Sequence, residues 1–167
     1  MPKVSKRLAA LVGTVAAGIL LVFVPRHEGE VLTTYYDPVN VATVCYGDTD
    51  PAMAVPGASY SREECLRSLE RQLVAHAEFV LECAPGVAAS PEMTAAFVSL
   101  AYNIGGSAFC GSTVARLYSD AAWLKDMALV THEQLGPVLV LKLTPRGLDA
   151  ATGRAIIPGV KRPGPRG

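Results

Sequence analysis

Glu28-Gly29-Glu30-Val31-Leu32-Thr33-Thr34-Tyr35-Tyr36-Asp37-Pro38-Val39-Asn40-Val41-Ala42-Thr43-Val44-Cys45-Tyr46-Gly47-Asp48 is the stretch on which the fold turns. Two runs rich in β-branched residues and tyrosine flank a break at Asp37-Pro38-Val39-Asn40, the composition of a β-hairpin or small sheet between Val31 and Thr49. Acidic residues stand at its entrance and in its first turn. Eight residues separate Glu28 from Asp37, and five more separate Asp37 from Thr43. A hairpin brings Asp37 and Thr43 together across its turn, so a carboxylate and a hydroxyl can share one water-sized gap near Glu28. That combination suits glycoside hydrolysis, in which one protonated carboxyl gives a proton to the leaving oxygen and a second group positions the attacking water.

Downstream the pattern becomes helical. Asp50 to Ser59 holds Pro51, Pro56 and Gly57 and reads as a loop. Ser61-Arg62-Glu63-Glu64 is a capping box, and Leu66, Leu69, Leu73, Val74, Phe79 and Val80 recur at helical spacing as far as Cys83. Ala84-Pro85-Gly86 ends that helix. Ser90-Pro91 opens a second one, whose run from Ala95 to Ile104 is apolar enough to be a buried core helix, and Ser112-Thr113 opens a third. Beyond it the periodicity fades. Leu135 to Leu143 fits either a strand or a broken helix, and the Gly-, Pro- and Arg-rich tail from Thr144 carries no assignment.

Upstream lies an uncharged stretch from Leu8 to Val24, preceded by Lys3, Lys6 and Arg7. As one helix it spans about 26 Å, just under the roughly 30 Å of a bilayer's hydrocarbon core, and its alanines and glycines make it a weak insertion signal. The charge placement predicts a cytoplasmic N-terminus, with everything after Val24 exported. A cleaved signal peptide is the alternative, but no small residue precedes Pro25. The chain of 167 residues suits one further domain, which gives a division into 1–25, a transmembrane segment, and 26–167. Net charge is zero and the charges are not segregated, which excludes a nucleic-acid footprint.

Cys45, Cys65, Cys83 and Cys110 all follow the apolar run and lack zinc-site spacing, so an oxidising compartment and a disulfide framework are expected. If one helix joins Cys65 to Cys83 they stand about 27 Å apart, beyond disulfide reach, and the preferred pairing is Cys45–Cys65 with Cys83–Cys110. His132-Glu133 lacks the second histidine of a zinc-peptidase helix, because position 136 is glycine. No metal or cofactor is expected. His27 reads as a juxtamembrane basic residue, His76 as a solvated or partly packed one, and Trp123 as core.

The order Glu28, eight residues, Asp37, five residues, Thr43 resembles the catalytic motif of the phage lysozymes, including their signal-anchor-release endolysins. Tyr60 to Cys65, Ala96 to Gly105 and Ala108 to Thr113 are similar to that family's first helix start, central helix and following turn, and the resemblance covers Pro2 to about Leu117. It implies an α+β fold, with a small N-terminal β-lobe and a helical lobe behind a membrane anchor. It also implies a monomer whose partners are peptidoglycan glycan strands and, through residues 8–24, the host inner membrane. The implied reaction is hydrolysis of the β-1,4 bond between N-acetylmuramic acid and N-acetylglucosamine, with Glu28 as general acid and Asp37 and Thr43 holding the water for an inverting attack. The acid then needs burial or a neighbouring negative charge to stay protonated near neutral pH. The implied cycle holds the catalytic domain in the periplasm, tethered and inactive until the anchor escapes. The sequence departs from the family at Asp48, where histidine is usual, and from about Ser119 onward, where a tryptophan-bearing helix and an arginine-rich final helix are replaced by an atypical stretch. That ending supports a second reading, a membrane-anchored peptidoglycan-binding protein with impaired catalysis.

Overall fold

The computed structural model describes residues 4–135, 138–152 and 154–158. Lys3, the glycine at position 136 and the end of the Gly-, Pro- and Arg-rich tail, considered above, lie outside them.

The expected single apolar helix is two. α1, Lys6–Val12, ends at Gly13, and α2, Thr14–Glu28, leaves at 112° to it. Gly13 adopts φ 81, a left-handed conformation that glycine reaches without a side-chain clash. Among the described residues no single helix is long and apolar enough to cross a membrane, although the bent pair passes by length and composition together. α2 also runs past the expected end of the apolar stretch at Val24, through Pro25, and ends at Glu28, so the residues between that stretch and the acid form the helix's last turn.

The hairpin forms where expected: β1, Val31–Tyr36, pairs antiparallel with β2, Ala42–Cys45, with Tyr35 opposite Thr43 and an irregularity between Val31 and Tyr35. α3, Arg62–Cys83, carries the full capping box of Ser61 and Glu64. A short 3₁₀ turn, Pro85–Ala89, leads into α4, Pro91–Ile104, then α5, Gly106–Cys110, and α6, Thr113–Asp126. The ambiguous stretch after α6 is a second hairpin, β3, Val130–Leu135, with β4, Val138–Leu143, followed by α7, Pro145–Ala151, capped by Thr144. Here β-branched residues outweigh the weak helical spacing.

The apolar N-terminal residues are part of the main core. α2 packs on α4 and α1 on α3, which places Leu8, Ala16, Ala17, Leu20, Leu21 and Val24 in the same cluster as Leu69, Leu73, Val98 and Phe109. The alanines, poor anchors in a bilayer, let two helix backbones approach closely. The outward side of α2 stays bare, with Val15, Val22 and Phe23 about half exposed. Both disulfides take the preferred pairing, Cys45–Cys65 and Cys83–Cys110, and so staple both ends of α3. The hairpin β3–β4 and α7 bury only a small separate cluster, centred on Leu129, Ala150 and Ile157. Trp123, expected in the core, is 39% exposed.

Because Leu20 is fully buried, Leu20→Ala is expected to lower unfolding free energy by about 2–5 kcal/mol in detergent-free buffer. Denaturant titration with both disulfides intact measures it, and an unchanged midpoint would mean that α2 is not docked.

Candidate active site

Each of the three motif residues is placed by its backbone. Glu28 ends α2, and its Oε2 lies 3.7 Å from where a Cβ on Gly47 would stand, so the carboxylate faces the turn after β2. Gly47 has φ 85, and that turn is closed by reciprocal backbone hydrogen bonds between Val44 and Asp48. Asp37 sits in the β1–β2 turn, where its Oδ1 accepts the Val39 amide at 3.0 Å and the Val41 amide at 2.8 Å. Thr43 is buried on β2 and donates through Oγ1 to the Val41 carbonyl at 3.1 Å. Asp37 and Thr43 are therefore held on the same residue, Val41, as a hairpin predicts. Among the described residues no hydrogen bond joins Glu28 to either of them. Glu28 is exposed, so the chain by itself does not supply the burial expected of a general acid.

Around them is a network that sequence reasoning missed. Glu30 accepts the Tyr46 hydroxyl at 2.6 Å and two hydrogen bonds from Arg62, from Nε at 2.8 Å and Nη2 at 2.9 Å. The Arg62 bonds, then that from Tyr46, hold the Glu30 carboxyl below its ordinary 4.5. Burial first, and then Glu30, push the Tyr46 phenol up to about 12. The Tyr46 carbonyl accepts the Tyr102 hydroxyl at 2.6 Å. Tyr102 is raised still further, mainly by burial and next by the charges of Glu28 and Asp48, so its phenol lies in the field of both carboxylates. The partners are 16, 32 and 56 residues apart in sequence, and no local pattern announces such contacts.

Asp48, noted only as a departure from the family pattern, is buried and bonded to the Ser68 hydroxyl, to which Arg71 also donates at 3.2 Å. Asp48 Oδ1 accepts the Asp50 amide at 2.9 Å. His76 is half-buried, with its ring edge-on to Tyr102 at 5.4 Å, and burial lowers its pKa. His27 stacks on Phe23 at 4.1 Å. Tyr35 and Tyr36 are exposed beside the hairpin turn rather than packed under the strand. No group of metal-ligating side chains occurs among the described residues.

The phage lysozyme family model matches residues 25–132. The chain is similar to two proteins named SAR-endolysin. That of Enterobacteria phage P21 is 32% identical over 123 residues, covering 69% of this chain and 72% of the relative, and that of bacteriophage PS119 is 36% identical over 91 residues, covering 53% and 52%. An uncharacterized protein, gp26 of Escherichia phage Mu, is 54% identical over 44 residues, covering 26% of this chain and 46% of its own. The chain thus spans about half the length of the Mu and PS119 relatives. Among solved structures, an endolysin from Escherichia coli O157:H7 phage FAHEc1 has a TM-score of 0.53 at 20% identity, covering 84% of each chain. The muramidase domain of SpmX from Asticaccaulis excentricus has a TM-score of 0.52 at 20% identity, covering 87% of this chain and 90% of that one. At this identity the likeness is one of fold.

Glu30 has a depressed pKa, so the stability it contributes is present above its ordinary value and fades as pH falls through its lowered one. Arg62→Ala removes the largest cause, and the Glu30 titration midpoint, followed by carboxyl-carbon NMR, is expected to rise toward 4.5. An unmoved midpoint would remove Arg62 as that cause.

Proposed function

The chain belongs to the phage lysozyme family, and from that premise we propose that it is an endolysin that lyses its host by hydrolysing the β-1,4 bonds between N-acetylmuramic acid and N-acetylglucosamine in peptidoglycan. The observation that carries this reading is the placing of Asp37 and Thr43 on one residue of the hairpin whose far turn faces Glu28. Glu28 acts as general acid toward the glycosidic oxygen. The Thr43 hydroxyl and the Asp37 carboxylate hold a water on the opposite face of the sugar, which leads to inversion at the anomeric carbon. Exposure of Glu28 in the free protein fits a cleft that a glycan strand covers: the bound sugar expels water from the carboxyl and so supplies the burial that proton donation requires. The exposed rings of Tyr35 and Tyr36 offer apolar surface beside that path.

The proposal extends to location. The bent pair α1 and α2 is weakly apolar, and in the tethered state it lies in the host inner membrane with the N-terminus cytoplasmic. Glu28 is then held at the lipid surface, away from the Gly47 turn. Escape from the bilayer lets the pair fold onto α3 and α4, and the enzyme becomes active in the periplasm as a monomer. The second reading, a peptidoglycan-binding protein with impaired catalysis, is favoured by one observation. After α6 the chain forms a hairpin and α7 with only a small core of their own.

Clearing of permeabilised bacteria separates the two. The enzyme reading expects the wild type to clear and Glu28→Gln to lose activity by about 100-fold or more, whereas equal failure of both selects the binding protein. For the tether, Gly18→Leu is informative because nothing lies within 4 Å of a Cβ at Gly18 in the folded protein. The variant strengthens membrane partition with little cost to the fold, and delayed host lysis is expected. Unchanged timing would sink the tether.

A further inference from the structure

Glu28 is the last residue of α2, and the next position is poorly suited to holding it still. Gly29 has φ 77, with nothing within 4 Å of where a Cβ would lie, so no packing restrains the chain there. The first residue beyond that joint with a fixed side chain is Glu30. Its carboxylate receives three hydrogen bonds, two from Arg62 and one from Tyr46. Arg62 is the first residue of α3, three positions before Cys65, and Tyr46 directly follows Cys45. The Cys45–Cys65 disulfide joins the two donor-bearing segments, and Tyr102 on α4 fixes the Tyr46 carbonyl from behind. The three donors on Glu30 thus come from a corner that is covalently closed and independently braced.

We propose that Glu30 is a positioning residue for Glu28: by gripping this corner it holds the end of α2 over the Gly47 turn. The inference rests on the reading of Glu28 as the general acid. Magnitudes separate positioning from plain stabilisation. The Arg62 side chain is 72% exposed, although that of Glu30 is only 24%, and an ion pair with one arm so open to water adds little to folding free energy. Placement is far less forgiving, since a displacement of about 1 Å of a reacting group can cost about 100-fold in rate. Loss of the clamp therefore shows in turnover before it shows in stability. Glutamine keeps an oxygen that can accept from both Tyr46 and Arg62, and so retains part of the grip that alanine abolishes.

The test uses the full chain, folded with both disulfides, on soluble peptidoglycan fragments. Glu30→Ala is expected to lower kcat by about tenfold to 100-fold with KM changed by less than about twofold, and Glu30→Gln to recover most of the loss. Thermal midpoints should stay close to that of the wild type. Hydrogen exchange gives a readout independent of turnover: amides of Gly29 to Val31 exchange faster in Glu30→Ala, while those in the middle of α3 do not. Wild-type kcat in Glu30→Ala overturns the inference, as does a parallel fall in kcat and thermal midpoint, or an unchanged exchange profile. If the wild type shows no more turnover than Glu28→Gln, the reading of Glu28 fails first, and exchange alone decides whether Glu30 holds the helix end.

Discussion

Burial of the inner face of α2 governs the rest, because the helix that carries this apolar face also ends in Glu28. Ala16, Ala17, Leu20, Leu21 and Val24 lie in the main core, where α2 packs on α4, so the position of the acid is a consequence of helix packing rather than of a local loop. Each large aliphatic side chain removed from water adds about 1.5–3 kcal/mol. Hydrocarbon lipid would accept the same side chains almost as well, since acyl chains are as apolar as leucine. In the proposed tether these are the two hosts of the segment, and the free-energy difference between them is small. The outward residues Val15, Val22 and Phe23 stay about half exposed in the folded protein, so their burial is incomplete.

The helical lobe receives this segment on a scaffold with little freedom. α3 is stapled at one end to β2 and at the other to α5. The closed loops span 20 and 27 residues, and in a chain-entropy account each stabilises the fold by roughly 3–4 kcal/mol through the unfolded state. Neither staple touches α1 or α2. The protein thus combines a lobe held covalently with an N-terminal pair held by packing, by the Glu30 clamp and by polar contacts such as the Ser5 amide on Glu70 and Arg7 on Glu78.

Legibility in the sequence follows the range of the interactions. The capping box of Ser61 and Glu64 and the proline start of α4 are local signals, and both helices lie where those signals put them. The length of α3 removes one of the three possible disulfide pairings, the one with a Cys65–Cys83 bond, and of the remaining two the structure has the preferred one. The break at Gly13 was not, since a lone glycine inside an apolar run is compatible with a continuous helix. Pro25 misled in the other direction: it reads as the end of a helix, yet α2 passes through it to Glu28. In the site, the placing of Asp37 and Thr43 about one turn was visible from spacing. The Glu30 network was invisible, being assembled from strand, helix start and core helix by tertiary packing alone.

Asp48 shows how the fold accommodates a residue that departs from the expected family pattern. A buried carboxylate needs hydrogen bonds, and this one finds the Ser68 hydroxyl and the Asp50 amide, with Arg71 bound to the same serine. The contact runs from the Gly47 turn to α3, a few residues from where Cys45–Cys65 and Glu30–Arg62 also cross. Two different bonds, one covalent and one a hydrogen bond, therefore tie the same turn and strand to α3, and the Glu30–Arg62 pair ties the residue before β1 to the same helix. The Glu28 side of the turn has no equivalent redundancy: Gly47 presents only backbone to the carboxylate, and a side chain there would stand 3.7 Å from it. What restricts Gly47 is its backbone, because φ 85 favours glycine, whereas a Cβ there would meet the Glu28 carboxylate at ordinary contact distance.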